Sequence, residues 1–204
     1  MASMTSVAGQ WDDRYGQADY FYGTEPNDFL TAVAHRIPMG SVLCVADGEG
    51  RNSTFLASLG YDVSSVDISP VGVQKTQQLA KRKNVHVDAQ VGDLATFDLG
   101  INKWNGVVSI FCHLPSDLRR VLHRRIVASL VSGGVVILEA YTPNQIGRGT
   151  GGPQVVDLLM TAESLKEEFA SLEIVHVEES IRTVVEGSGH SGEAAVVQLI
   201  AIKR

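Results

Sequence analysis

Val42-Leu43-Cys44-Val45-Ala46-Asp47-Gly48-Glu49-Gly50-Arg51-Asn52 is the stretch that decides the architecture. It opens as a short apolar run and passes into an acidic, glycine-rich turn; Arg51 to Leu59 then reads as a helix closed by Gly60. Strand, glycine turn and helix in that order begin a βαβ unit. Gly48 and Gly50 let the backbone bend sharply and admit a close neighbour, because no Cβ intrudes. The free N–H groups of the following helix point at the same place.

The pattern repeats outward from this stretch. Tyr61 to Val66 reads as a second strand ending at Asp67, with Ser69 as N-cap and Pro70 as first residue of a helix running to about Lys83. Val85 to Val91 alternates into a third strand turned by Gly92-Asp93, and Trp104 to Phe111 gives a fourth. Ser116 is placed to cap a helix to about Val131, and Gly133-Gly134 breaks the chain before a fifth strand, Val135 to Tyr141. Strands alternating with helices predict a mainly parallel sheet with right-handed crossovers. The last quarter differs: a helix over Ala162 to Phe169, then β-rich runs Leu172 to Val185 and Ala194 to Ile202 joined by the glycine-rich link 186–192. That reads as a hairpin, which makes the final strand antiparallel to its neighbour. Thr142 to Gln154, with four glycines and two prolines, reads as either a mobile loop or a lid.

Length and composition fit one domain over 1–204: 44% hydrophobic, 20% charged and 20 glycines in 204 residues. A formal charge of -6 argues against a broad phosphate-binding surface, so nucleic acid is not an expected partner. Lys81-Arg82-Lys83 and Arg119, Arg120, Arg124 and Arg125 fall on the expected helices, where they read as solvated faces or charges favoured by a helix C-terminus. Cys44 and Cys112 lie in apolar runs without metal-ligand spacing, so buried free thiols and no metal are expected. The first ten residues lack a cationic start and apolar core, and no run approaches the ~18 apolar residues of a membrane span. A cytoplasmic protein without a membrane partner is the expectation; oligomeric state is left open.

In an open parallel sheet, ligands sit beyond the carboxyl ends of the strands where strand order reverses. The informative residues are therefore Asp47 to Asn52, Asp67-Ile68-Ser69, Gly92-Asp93-Leu94 and Phe111-Cys112-His113-Leu114. Asp67, at the end of the second strand, is placed to accept hydrogen bonds from both ribose hydroxyls of a nucleoside. A dinucleotide site wants a third glycine where Ser53 stands, and Glu49 in the turn repels a pyrophosphate. A cofactor with no phosphate and a cationic sulfonium suits Asp47 and Glu49 better.

At this point the sequence resembles the class I S-adenosylmethionine-dependent methyltransferases. The opening stretch is similar to their first motif, Asp67 to their ribose-binding acid, and Gly92-Asp93-Leu94 to the motif whose acid faces the adenine amino group. The resemblance runs from about Trp11 to the C-terminus. Gly48 to Asn52, the lead from Trp11 to Phe29 and Glu139-Ala140-Tyr141-Thr142-Pro143 look most like the tellurite-resistance and thiopurine methyltransferase-like branch. Two positions depart from the family: Cys44 stands where an acid is common, and Ala46 replaces the first glycine.

The resemblance implies a doubly wound, Rossmann-like α/β sheet of seven strands in order 3-2-1-4-5-7-6, the last antiparallel, with helices on both faces. It implies S-adenosylmethionine as cofactor, S-adenosylhomocysteine as product, and a division into a lead (1–40), a cofactor-binding half (41–141) and an acceptor side (142–204). With the strand ends, it nominates Arg14, Tyr22, Asp47, Gly48, Glu49, Gly50, Asn52, Asp67, Ile68, Ser69, Asp93, Leu94, Phe111, Cys112 and His113 as cofactor-binding. Arg14 is a candidate for the cofactor's carboxylate and Tyr22 for a pocket wall, in an aromatic lead that either folds over the cofactor or simply packs on the sheet. Methylases of exocyclic base amines carry Asn or Asp, two prolines and an aromatic after the fourth strand; Phe111 to Pro115 lacks that pattern. His113 is the candidate catalytic base, since imidazole titrates near neutral pH; the alternative is a histidine bonded to backbone. Spending almost the whole chain on the core favours a small-molecule acceptor, a thiol, metalloid oxyanion or similar. A nicotinamide-dependent oxidoreductase and a non-catalytic S-adenosylmethionine-binding module are the alternatives.

Overall fold

The computed structural model describes residues 4–204. Seven strands, β1 (Ser41–Val45), β2 (Asp62–Asp67), β3 (Asp88–Val91), β4 (Trp104–Ile110), β5 (Leu130–Tyr141), β6 (Glu173–Glu186) and β7 (His190–Ile202), form one sheet of order β3-β2-β1-β4-β5-β7-β6. β1 to β5 pair in parallel, and β7 lies antiparallel between β5 and β6. Among the described residues the α-helices are α1 (Met4–Tyr15), α2 (Asp28–Val33), α3 (Arg51–Ser58), α4 (Pro70–Lys83), α5 (Ser116–Ser129) and α6 (Ala162–Glu168). Strand order reverses between β1 and β4, which places their carboxyl ends at the crevice of a doubly wound sheet.

The period-two rule divides the core. Leu43 and Val45 of β1 join Val107, Leu138 and Leu199 under α5 and α6, while Val42 and Cys44 join Val108, Ile137 and Ile200 under α2 and α3. Both faces being covered, the central strands are near-continuous apolar runs. Ser69 caps α4 as expected, its Oγ accepting from the Gly72 N–H at 2.9 Å.

Several boundaries differ from the sequence reading, each for a physical reason. Pro115, not Ser116, is the N-cap of α5, and the Ser116 N–H donates instead to the Asp157 carboxylate at 3.2 Å. Gly133-Gly134 does not end a segment: it lies inside β5, where the register shifts between Trp104 and Gly106. β6 and β7 continue to Glu186 and His190, so a long link shrinks to the turn Gly187-Ser188-Gly189. Arg119 is no solvated charge; it is buried and donates to both oxygens of Glu168, tying α5 to α6. The 142–154 loop is anchored to β7, since buried Gln145 accepts from the Ala195 N–H and donates to the Gly151 carbonyl, each at 2.9 Å. Among the described residues, no helix is long and apolar enough to cross a membrane.

Candidate active site

The turn after β1 is held open by left-handed backbone: φ is 50° at Ala46, 61° at Gly48 and 86° at Gly50. The Gly48 N–H donates to Asp67 Oδ2 at 2.8 Å, and the Ser69 N–H donates to Asp67 Oδ1 at 2.9 Å, so one carboxylate knits the ends of β1 and β2 together. Each oxygen keeps a second acceptor site. Burial pushes the Asp67 carboxyl up to about 6 against the pull of those two N–H donors. Asp47 goes up to about 7, again by burial, opposed by a hydrogen bond from Ser53 Oγ and reinforced by the charge of Asp67. Its other oxygen, Oδ1, is buried with no partner.

Gly48 and Gly50 admit close neighbours from within the protein. A Cβ on Gly50 would lie 2.5 Å from Thr76 of α4, and one on Gly48 would lie 2.7 Å from the Tyr15 hydroxyl of α1. Their close approaches serve helix packing and the aromatic lead. Glu49 and Asn52 clasp the lead. Glu49 Oε1 accepts from Lys75 Nζ and Oε2 from the Phe21 N–H, both at 2.7 Å, while Asn52 Oδ1 accepts from the Asn27 N–H at 3.0 Å. Lys75 Nζ also donates to the carbonyls of Gln17 and Asp19 at 2.8 Å. Asp12 of α1 accepts from Ser69 Oγ and the Val71 N–H at the start of α4. Arg14 donates to the Tyr22 hydroxyl at 3.3 Å and lies over the rings of Trp11 and Phe21.

Beyond β3, Asp93 Oδ1 accepts from the Ala95 N–H at 2.9 Å and shapes its own turn, while Arg125 secures that loop through the Leu94 carbonyl at 2.7 Å. Leu94 is buried in the core, and Ile68 is half-buried. Beyond β4, Phe111 has φ 53° and stacks on Tyr141 with ring centroids 4.6 Å apart. Cys112 is buried, its thiol pushed up to about 12 by desolvation. His113 Nδ1 meets the Leu158 carbonyl at 2.9 Å, and Nε2 accepts from the Tyr141 N–H at 3.4 Å. Burial lowers this imidazole to about 4. Neutral and bonded to backbone at both nitrogens, His113 has no lone pair left for an acceptor, which is the backbone-bonded alternative of the sequence reading.

The sequence reading passed over the hairpin tip. Glu186 accepts from Arg51 Nη2 at 2.8 Å and Asn27 Nδ2 at 2.9 Å, and His190 Nδ1 lies 3.0 Å from its Oε2. Asn27 Nδ2 also reaches Glu139 Oε2, which Arg182 holds at 2.7 Å. The His190 ring packs among Tyr22, Phe111 and Tyr141. Gly189 makes this docking possible, since its Cβ would strike the rings of Tyr22 and Phe21 at 2.4 and 2.5 Å. Glu186 and His190 flank Gly187-Ser188-Gly189 in sequence, a signal legible only once the hairpin is known to fold back over β4 and β5.

Strand order and the crevice at the ends of β1 and β4 together define a doubly wound, Rossmann-like architecture. One step further, residues 42–134 match the family described as a methyltransferase domain. A protein-L-isoaspartate O-methyltransferase of Pelodictyon phaeoclathratiforme is 31% identical over 91 residues, 41% of this chain and 41% of that protein. The chain thus matches well under two thirds of this curated relative's length. Among solved structures, one reported with the conversion of a disulfide bond into a thioacetal group during echinomycin biosynthesis has a TM-score of 0.79 at 16% identity, covering 98% of this chain and 91% of that one. TehB from Haemophilus influenzae gives 0.72 at 18% identity, covering 97% and 67%. Residues 42–134 thus match a methyltransferase domain, and the solved structures share the fold of the whole chain.

Proposed function

We propose that the protein transfers a methyl group from S-adenosylmethionine to a small-molecule acceptor in a reducing cytoplasm, where its two buried free thiols are at home. The observation that carries this reading is Asp67, buried between the ends of β1 and β2 with one acceptor site open on each oxygen. The residues fit the cofactor. Asp67 would accept the ribose hydroxyls, and the unpartnered Asp47 Oδ1 would face the α-ammonium. Arg14 and Tyr22 close the site from the lead, with Phe111 as its floor beneath the acceptor. The cofactor supplies a methyl group on a sulfonium sulfur, open to in-line displacement. Tyr22, Phe111, Tyr141 and His190 keep water from that path. Residues 1–40 act as the lead, 41–141 hold the cofactor and 142–204 shape the acceptor side.

The unpartnered Asp47 oxygen at the turn speaks for a phosphate-free cofactor over NAD. Thermal shift with each is the test: S-adenosylhomocysteine at 100 times its dissociation constant stabilises by about 2.7 kcal/mol, and stabilisation by NAD alone defeats the reading. A non-catalytic module is separated by following labelled methyl from the cofactor to thiols, tellurite, selenite, phenols and amines. Within the class, likeness to TehB supports the tellurite-resistance and thiopurine methyltransferase-like branch.

A further inference from the structure

Buried polar groups in a crevice are ordinarily spent on one another. Where the tip of the β6–β7 hairpin meets the end of β5, two remain unspent. The Tyr141 hydroxyl is wholly buried and has no hydrogen-bond partner. His190 uses only Nδ1, 3.0 Å from Glu186 Oε2. Both lie against Gly151: a Cβ there would sit 2.7 Å from His190 Cδ2, the carbon next to Nε2, and 3.4 Å from Tyr141 Oη. The His190 ring centroid is 4.8 Å from that of Phe111, at the carboxyl end of β4 that borders the methyl-donor site.

We propose that His190 is the catalytic base of this methyltransferase, oriented by Glu186, and that its acceptor is a weakly acidic thiol or phenol whose proton must leave. The inference rests on the methyltransferase reading above. Arg51 Nη2 and Asn27 Nδ2 hold Glu186 as the acceptor-only carboxylate, and its pKa is lowered to about 2 by His190 and Arg51 despite burial. An ionised Glu186 fixes the proton on His190 Nδ1 and leaves the Nε2 lone pair free, the division of labour of a carboxylate-histidine pair. Glu186, Arg51 and Arg14 are the charges that bear on this imidazole, with Tyr22, Tyr141 and His113 as its titratable neighbours. Desolvation lowers it from the ordinary histidine value against the pull of Glu186, which favours the neutral imidazole. In the step itself, the acceptor's proton passes to His190 Nε2 and its freed electron pair bonds the methyl carbon. The carbon–sulfur bond breaks with its pair kept on sulfur, and the imidazolium then returns its proton to water. Tyr141 Oη steadies the acceptor atom by hydrogen bonding. A metalloid oxyanion, already carrying its lone pairs, needs no such base.

The test uses the full chain with 2-mercaptoethanol, phenol, aniline and selenite as acceptor probes. Methylation of 2-mercaptoethanol or phenol is expected, with a rate that climbs with pH through the His190 titration to a plateau; the two probes separate sulfur from oxygen. His190→Gln should lose that climb and at least ~100-fold in rate, with S-adenosylhomocysteine affinity in calorimetry unchanged within about twofold. Glu186→Gln, acting by position, should move the His190 proton toward Nε2 in nitrogen-15 NMR, a readout independent of turnover; Nδ1 protonation is expected in the wild type. An unaltered pH profile in His190→Gln, methylation of selenite or aniline alone, no methylation of any probe by a chain that binds S-adenosylhomocysteine, or a wild-type His190 protonated only at Nε2 overturns the inference. Failure of the wild type to bind S-adenosylhomocysteine instead defeats the methyltransferase reading.

Discussion

Ala46 sits at φ 50°, in the left-handed region where a Cβ crowds the following carbonyl. It stands where the resembled family has its first glycine, so the sequence marked the position and the backbone gives the reason. Ala46→Gly is expected to raise stability by about 1 kcal/mol, measured as a higher denaturant midpoint at unchanged slope; no gain means the strain is relieved elsewhere. The position of Asp67 at the end of the second strand was legible from spacing, whereas its backbone partners Gly48 and Ser69 were not. Asp67→Asn should weaken S-adenosylhomocysteine by about 1.5 to 3 kcal/mol in calorimetry, and undiminished affinity removes Asp67 from the ribose. For Glu49 and Asn52, sequence locates the residues at the turn, but only the path of residues 12–27 determines which groups of the lead they hold. His113 illustrates the same limit. Its position after β4 was legible, whereas the Leu158 carbonyl that occupies Nδ1 arrives from 45 residues away.

At the scale of elements, strands β1 to β5 and helices α3 to α6 follow from periodicity and caps, since local rules act within a few residues. What escaped was long-range. The helix α4 stripe of Val73, Thr76, Leu79 and Ala80 carries Lys75 on its buried side, a cation that demands partners. Those partners are Glu49 and the carbonyls of residues 17 and 19, so a buried ammonium joins Asp12 in fastening the lead to α4. Lys75→Met strands the Glu49 carboxylate and is expected to cost about 3 to 5 kcal/mol. Adding Glu49→Gln to it should recover at least half of that loss in the same denaturation assay; a double variant as unstable as the single one would show the lead is held by packing instead. The hairpin tip escaped because its length depends on how far β6 and β7 stay paired over the sheet, which the glycines at 187, 189 and 192 concealed.

Across the whole molecule, titrating groups buried near the strand ends pull stability in opposite directions with pH. His113, lowered to about 4, contributes stability that is complete above its ordinary value of 6.5 and is lost as pH falls toward 4. Asp47 and Asp67, raised from 3.8 to about 7 and about 6, contribute stability present below pH 4 and lost as pH climbs through those values. The free protein therefore carries an electrostatic cost at neutral pH inside its own crevice, and the proposed ligand is built to remove it. Hydroxyl donors on Asp67 and a cationic ammonium beside Asp47 both favour the ionised carboxylates, so binding must lower their pKa values. Protons are then released when S-adenosylhomocysteine binds near pH 6.5, and affinity rises as pH climbs from 5.5 to 8. Calorimetry in two buffers of different ionisation enthalpy measures this directly, with net release at pH 6.5 that fades above about pH 8. Proton uptake, or an affinity flat across that range, would place the ligand away from both carboxylates.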